Sequence, residues 1–474
     1  MTDRTSTPRA VAPAVAKSML AMTAPLVLSF WMRSAFSFVD TAYAATLGDA
    51  AVAAIGLAIP LEFAMIACWV GLSNGLTSRL SQALGAGEGA RIEQLLNTAW
   101  KMVTRALLPF FLAGAAGIYL GAPYMGLDDE VAKMFAIYGG VTLAGSALTS
   151  FWSILPDSLV KAHHDTRSTM WAGIWSNVIN VTLNTLFLFV FHWGIFGIAF
   201  STVLGRFGGL VYALRKARAH EEARKAAEKA PSTRLDERPY RAILSLALPS
   251  AAAYGLMALE ASFVNFVLAT TGDPTASIAA YSIYYRVMMF AVMPLIAASV
   301  AALPYTARHF GSGDLVAIRR GFTEVSLGGV AYTILLVAPA TWFGGPPLAA
   351  LLAENPLTVE FATFALRLVP LACLATVPFF ICRPIFEGMG QGRPGLWMSV
   401  LRYLILTVPF AYGGVALART LGQPGFYGLM VGLMVATALS SGVFHAWLLT
   451  ALRREEGLLA AKTGCQAGSE VGVS

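Results

Sequence analysis

The recurrence of long apolar segments constrains this chain more than any other feature of its sequence. Twelve such segments can be traced, and most reach the ~20 residues that a helix needs to cross the hydrocarbon core of a bilayer. Only 12% of the 474 residues are charged, whereas soluble domains average about 25%. We therefore predict an all-α membrane protein with twelve transmembrane helices, at about residues 18–46, 51–77, 98–120, 134–155, 168–191, 194–214, 242–270, 275–303, 321–343, 358–381, 395–417 and 425–452.

The distribution of lysine and arginine predicts the orientation of the chain. If both termini lie inside, the inside segments carry 24 of the 33 Lys and Arg residues, and the outside loops carry only Lys133 and Arg419. Basic loops are retained in the cytoplasm, so we expect a multi-pass protein of the cell membrane with cytoplasmic termini. These loops also explain the formal charge of +7, and no nucleic-acid partner is expected.

One long polar connection divides the twelve segments six and six. Its mixed charges suggest a frayed helix followed by a linker, and contact with anionic lipid is possible there. The predicted divisions are an N-terminal tail (1–17), an N-terminal six-helix lobe (18–214), a cytoplasmic linker (215–241), a C-terminal six-helix lobe (242–452) and a C-terminal tail (453–474).

The two halves are internal repeats. Four groups of residues recur in order in the second half with offsets between 224 and 231. Because six spans is an even number, the halves have the same orientation and are related by a pseudo-two-fold axis along the membrane normal. The matches pair Pro25 and Gly48 with Pro249 and Gly272, Gly85 and Gly87 with Gly311 and Gly313, Arg167 and Trp171 with Arg393 and Trp397, and Gly194 and Gly197 with Gly425 and Gly428.

The first apolar segment carries two charges, Arg33 and Asp40, about two helical turns apart. An ionised carboxylate at the bilayer centre costs at least ~2.5 kcal/mol, so it persists where it faces a cavity or a partner. Asp40 is therefore a candidate for an ion or substrate pathway. The alternative is that Asp40 only pairs with Arg33 to hold the helices together.

Three amides in the fifth segment, Asn177, Asn180 and Asn184, share a helix face because they follow the spacing i, i+3, i+7. They either extend a polar cavity around Asp40 or hold helices together through hydrogen bonds.

Further charges lie within the second, seventh and eighth segments. Glu62 is a possible ion-pair or supporting residue, and Glu260 and Arg286 either pair inside the C-terminal lobe or leave Glu260 as a second cation site. Arg367 and Arg402 are expected to be structural or lipid-facing. Aromatic residues such as Tyr281, Tyr284 and Tyr285 could line a cavity that attracts organic cations.

Several stretches together resemble the multidrug and toxic compound extrusion (MATE) family. They are LGDAAVAAIG after the first segment, GLSNGLTSRLSQALGAGE in the second, SNVINVTLN in the fifth, LALPSAAAYGLMALEASF in the seventh and EGMGQGRP after the tenth. The resemblance covers about residues 18–452. Asp40 matches the first-helix acid of the family, and Glu260 matches the seventh-helix acid of one branch. Two acids of other members are replaced here, one by Asn184 and one near Thr376.

The resemblance implies two six-helix lobes that face each other in a V and open alternately to either side. It further implies export of cationic or amphipathic drugs in exchange for H⁺ or Na⁺, with membrane lipid as surroundings, no other cofactor and a functional monomer. The alternative is a flippase for a lipid-linked oligosaccharide. A membrane enzyme is not expected, because the histidines are dispersed and no nucleophile–base or metal set is evident.

Overall fold

The computed structural model describes the backbone of residues 18–228 and 234–470. It describes their side chains except those of residues 33–42, 44, 45, 49, 52, 59, 63 and 458–470. The predicted side-chain positions of Arg33 and Asp40 thus lie outside the described residues, although the backbone there is helical.

Helices make up almost all of the described chain. Eleven of them are long and apolar enough to cross a membrane, and the first helix runs through the first predicted span. The helices are α1 (Met19–Ala45), α2 (Asp49–Gly85), α3 (Gly89–Tyr124), α4 (Asp129–Ala162), α5 (Thr166–Val190), α6 (Gly194–Ala227), α7 (Pro239–Ala269), α8 (Pro274–Gly311), α9 (Leu315–Leu352), α10 (Pro356–Gly388), α11 (Arg393–Thr420) and α12 (Gly425–Glu470).

The predicted repeat is visible in the irregular turns of the helices. A π-helical turn interrupts α3 at Val103–Leu107 and α9, its counterpart in the second half, at Thr333–Val337. The helices α5 and α11 also contain π-helical turns, but at different places: at Leu186–Val190, where α5 ends, and at Leu401–Leu406, near the start of α11. Such turns are rare and often lie at functional sites. The turn shared by α3 and α9 agrees with two related six-helix lobes, α1–α6 and α7–α12.

The first helix of each lobe begins against the other lobe. Met19, Met22 and Leu26 of α1 are buried in the core of the C-terminal lobe. Ile243 and Ala247 of α7 are buried in a core of the N-terminal lobe. Both helices begin at the end of the bundle that carries the lysine- and arginine-rich connections, which we call the basic end. Apolar burial therefore joins the lobes at the basic end.

Two pseudo-equivalent glycines allow the lobes to approach closely there. A Cβ atom on Gly85 of α2 would lie 2.0 Å from the carbonyl oxygen of Arg308, and one on Gly311 of α8 would lie 2.2 Å from that of Gln82. Real Cβ atoms do not approach oxygen so closely, so only glycine fits both positions.

The connection between the lobes begins with a helical extension, because α6 continues to Ala227, and it ends where α7 begins at Pro239. Its second part is bound to the N-terminal lobe. Asp236 accepts a hydrogen bond from Arg91 Nε at 3.0 Å, and its backbone exchanges two hydrogen bonds of 2.8 Å with the Gln94 side chain. These contacts fix the end of the linker beside the turn between α2 and α3.

Candidate functional site

One face of α2 carries polar contacts from the N-terminal lobe to α10 of the C-terminal lobe. Asn74, Ser78 and Gln82 are spaced four residues apart and all reach α10. Asn74 Nδ2 donates to Glu387 Oε2 at 3.2 Å, Ser78 Oγ to the Glu387 carbonyl at 2.6 Å, and Gln82 Nε2 to the Gly388 carbonyl at 2.7 Å. We call this set of contacts between α2 and α10 the seal. Its α2 residues occupy the last three turns of that helix, so the seal lies within about 18 Å of the end of α2.

A buried ion pair supports the seal from the C-terminal lobe. Glu387 is 2% exposed and accepts a hydrogen bond of 3.0 Å from Arg383 Nε. The same guanidinium donates to the Ser250 carbonyl at 3.0 Å and lies 4.8 Å from the ring centre of Tyr254. A buried ion pair has lost its hydration, and additional hydrogen bonds and contacts of this kind offset that loss. The sequence interpretation missed Glu387, because an acid at a span end resembles an ordinary loop residue.

Glu260 occupies the interior of the C-terminal lobe, on α7. Its Oε1 lies 2.9 Å from the hydroxyl oxygen of Thr407, which also lies 2.8 Å from the Arg402 carbonyl oxygen. A hydroxyl has one hydrogen to donate. Thr407 therefore donates to an ionised Glu260, or accepts from a protonated Glu260 while donating to the carbonyl. The geometry accommodates both protonation states of Glu260.

Arg402 is the charged neighbour of Glu260. It acts on the carboxylate electrostatically, and its guanidinium carbon lies 4.6 Å from the ring centre of Phe379 and 5.1 Å from that of Tyr403. Its Nε and Nη1 atoms are buried and form no hydrogen bond with the described residues. Arg402 is thus part of the site and does not face lipid.

The predicted ion pair between Glu260 and Arg286 is not formed. Arg286 is exposed, and within the described part of the chain it makes no contact with a carboxylate closer than 4.0 Å. Of the two alternatives, the structure thus does not show the pair; the cation that acts electrostatically on Glu260 is Arg402 of α11, which forms no ion pair with it within 4.0 Å. Arg367 does face outwards, 5.4 Å from the ring centre of Trp342.

Three tyrosines of α8, Tyr281, Tyr284 and Tyr285, lie close enough to Glu260 to interact with it electrostatically. The ring centre of Tyr281 lies 5.9 Å from that of Tyr284 and 6.1 Å from that of Tyr285. A carboxylate near aromatic rings can attract a cation through its own charge and through the quadrupoles of the rings.

The N-terminal lobe brings the amides of α5 against α6. Asn180 is 7% exposed, and its Nδ2 donates to Thr202 Oγ1 at 3.1 Å. Asn184 is fully buried, whereas Asn177 is half-buried. Thr202 was not predicted, since a lone threonine in an apolar helix usually bonds its own backbone. Asp40 is predicted to face this cluster, but its side chain is not among the described residues.

Glu62 of α2 is half-buried and lines a small cavity against α4. No group of three or more His, Cys, Asp or Glu that could hold a metal ion occurs among the described residues.

Comparison with known proteins identifies the fold. The family model MatE matches residues 25–186 and 249–413. The probable multidrug resistance protein YoeA of Bacillus subtilis is 24% identical over 424 residues, which cover 84% of this chain and 87% of the relative. An FAD transporter of Shewanella oneidensis is 20% identical over 436 residues, or 90% of this chain and 92% of that protein.

A solved structure agrees with this match. The crystal structure of a mutant of the Vibrio cholerae MATE transporter VcmN has a TM-score of 0.82 with 22% identity, covering 93% of this chain and 97% of that one. The two family segments fall in the two lobes, one in each. This chain belongs to the MatE family of multi-pass membrane efflux transporters.

Proposed function

We propose that this protein exports cationic or amphipathic organic molecules across the cell membrane in exchange for H⁺ or Na⁺. The observation that carries the proposal is a pair of lobes sealed at the basic end, each of which holds polar groups within the membrane. A two-lobed bundle sealed at one end is one state of an alternating-access cycle.

The sidedness of the seal follows from the charge distribution. Basic connections are retained in the cytoplasm, so the basic end and both termini face the cell interior in this proposal. The described conformation is then closed to the cytoplasm. Substrate release and ion entry would take place at the opposite end.

Exchange requires that ion and substrate exclude each other. Asp40 and Glu260 are the proposed coupling residues, with Asn177, Asn180 and Asn184 lining the N-terminal site. A carboxylate neutralised by a proton or Na⁺ no longer attracts an organic cation, so one bound charge displaces the other. The tyrosines beside Glu260 suit cationic aromatic substrates. We expect a single chain in lipid to complete this cycle.

Uptake of a fluorescent organic cation into inverted vesicles tests the function. An imposed pH gradient should drive uptake in the wild type, and Asp40→Asn should abolish it. Asp129→Asn changes an exposed acid at the start of α4 and serves as the control. Uptake driven only by Na⁺ and lost in Glu260→Gln would assign coupling to the C-terminal lobe. No uptake under either gradient would contradict export of cations and favour a flippase for a lipid-linked substrate.

A further inference from the structure

A small cavity lies between the helices α2 and α4 of the N-terminal lobe. It includes neither the amides of α5 nor Glu260. It is lined by Ala58, Leu61, Glu62, Met65, Gly139, Thr142 and Leu143. Its volume is about that of one water molecule. The accessible lining is almost entirely apolar, and Glu62 and Thr142 are the two polar residues among those that line it.

Both polar groups lie at the same depth in the membrane. Glu62 is thirteen residues after Asp49, at the start of α2, and Thr142 is thirteen residues after Asp129, at the start of α4. These helices run in the same direction, and the rise of 1.5 Å per residue places both groups about 20 Å from the helix starts. Glu62 therefore lies well within the hydrocarbon region.

Among the described side chains, Glu62 has no partner that explains its position. It forms no ion pair and no hydrogen bond with any residue that the structure describes. A carboxylate in a membrane helix is costly unless a cation, a proton or water compensates it.

Thr142 supplies an independent indication of a ligand. It is 3% exposed, and its Oγ1 is buried without a hydrogen-bond partner in the described chain. Thr149, on the same helix and 4% exposed, donates instead to the Gly145 carbonyl at 2.8 Å, as threonines in helices usually do. The Thr142 hydroxyl forgoes that bond, and a buried hydroxyl left in this way normally binds water or a ligand.

We propose that Glu62 is a proton-binding site of the N-terminal lobe and that Thr142 holds one water molecule against it. The carboxylate takes a proton from a hydronium ion, which leaves a carboxylic acid and the bound water. Deprotonation reverses the step. This inference rests on the proposed exchange function for its role in transport. It supplies the N-terminal lobe with a second acid in a chain that has an amide at Asn184.

Infrared difference spectroscopy of the purified protein between acidic and neutral pH tests the site without a transport assay. The wild type should show the carbonyl band of a protonated carboxyl group, and Glu62→Gln should lose the intensity of one group. Glu62→Asp should retain a band. Thr142→Val should shift its titration midpoint, whereas Thr149→Val should not.

Two outcomes would overturn the inference. A Glu62→Gln spectrum identical to that of the wild type would exclude proton binding. Identical midpoints for the wild type and a folded Thr142→Val variant would exclude the water-holding role, and this variant remains informative if Glu62→Gln does not fold.

If the band depends on Glu62 but Glu62→Gln retains pH-driven uptake, the coupling role fails while the proposed export stands. If no variant or wild type transports, export fails while the spectra still decide the site.

Discussion

His164 of the N-terminal lobe donates a hydrogen bond from Nε2 to the carbonyl oxygen of Pro304 in the C-terminal lobe, at 3.1 Å. Its backbone has a φ of 59°, a conformation that costs a non-glycine residue about 1 kcal/mol. The repeat offset of 226 places Gly390, with a φ of 83°, at the equivalent turn. The N-terminal lobe thus has a strained histidine where the C-terminal lobe has glycine, and the histidine's side chain joins the lobes.

The surroundings of this turn keep its histidines uncharged. Burial lowers the pKa of His164 to about 3 and that of His163 to about 4, and the positive charge of Arg308 adds to both effects. The ring of His163 stacks on that of His220 at 4.9 Å, and His220 Nε2 lies 2.9 Å from Asp165 Oδ2. The charged and titratable groups that act on the pair are His220, Glu221, Arg224, Arg308 and His309.

Acidification should therefore open the basic end. In the closed state the two pKa values lie below 6.5, and separation of the lobes returns them towards that value. The contribution of neutral His163 and His164 is complete above about pH 6.5 and is lost as the pH falls towards 3–4. At about pH 5.5 the closed state loses roughly tenfold in population per histidine.

Spin labels on Arg167→Cys and Ser312→Cys, which are exposed positions on either lobe, would report this change as a distance. The distance should lengthen between about pH 7.5 and about pH 5.5. The variant His164→Gln should weaken the response, and His192→Gln, at the opposite end of α5, should leave it unchanged. A distance in the wild type that does not depend on pH would contradict this prediction.

The close approach at Gly85 predicts a second effect on closure. Gly85→Ala would place a Cβ atom 2.0 Å from the Arg308 carbonyl oxygen, so the lobes should no longer seal. Gly56→Ala in the same helix meets no atom within 4 Å and should be neutral or stabilise the helix by up to about 1 kcal/mol. The same distance measurement should show a shift towards the open state for Gly85→Ala only. Equal distances in both variants would show that the glycine contact does not control closure.

The sequence predicted the helices and the repeat because both leave local signals. Apolar length and paired motifs located twelve spans, and the Gly85 and Gly311 turns proved to be matched contacts. The partners of individual acids were not predictable. Glu260 and Arg402 are 142 residues apart, and their proximity depends on how α7 packs against α11. Of the predicted site, the structure brings Asn180 to Thr202 and separates Glu260 from Arg286, while the positions of the Asp40 and Arg33 side chains stay predictions.

The relation between Glu260 and Arg402 predicts coupled effects on stability. Glu260→Gln leaves the guanidinium without its carboxylate, and Arg402→Met leaves the carboxylate without its cation, so each should cost about 1–3 kcal/mol. The double variant removes both charges and should recover most of the loss. Thermal unfolding in detergent would measure this cycle, and a coupling of about 1 kcal/mol or more is expected. Arg286→Met, which changes an exposed side chain, should have little effect. Additive losses in the double variant would argue against a direct relation.

The amides of α5 differ in burial, which separates a structural from a cavity-lining role. Asn180 is buried and donates to Thr202, so Asn180→Ala should leave the Thr202 hydroxyl without this donor and destabilise the N-terminal lobe by about 1–2 kcal/mol. Asn177 is half-buried, and Asn177→Ala should change stability by no more than about 0.5 kcal/mol. If Asn177 lines the transport cavity, its loss should instead weaken the affinity for the organic cation. Thermal unfolding and dye binding measured on both variants would distinguish these roles, because a purely structural pair would change unfolding and leave dye affinity constant.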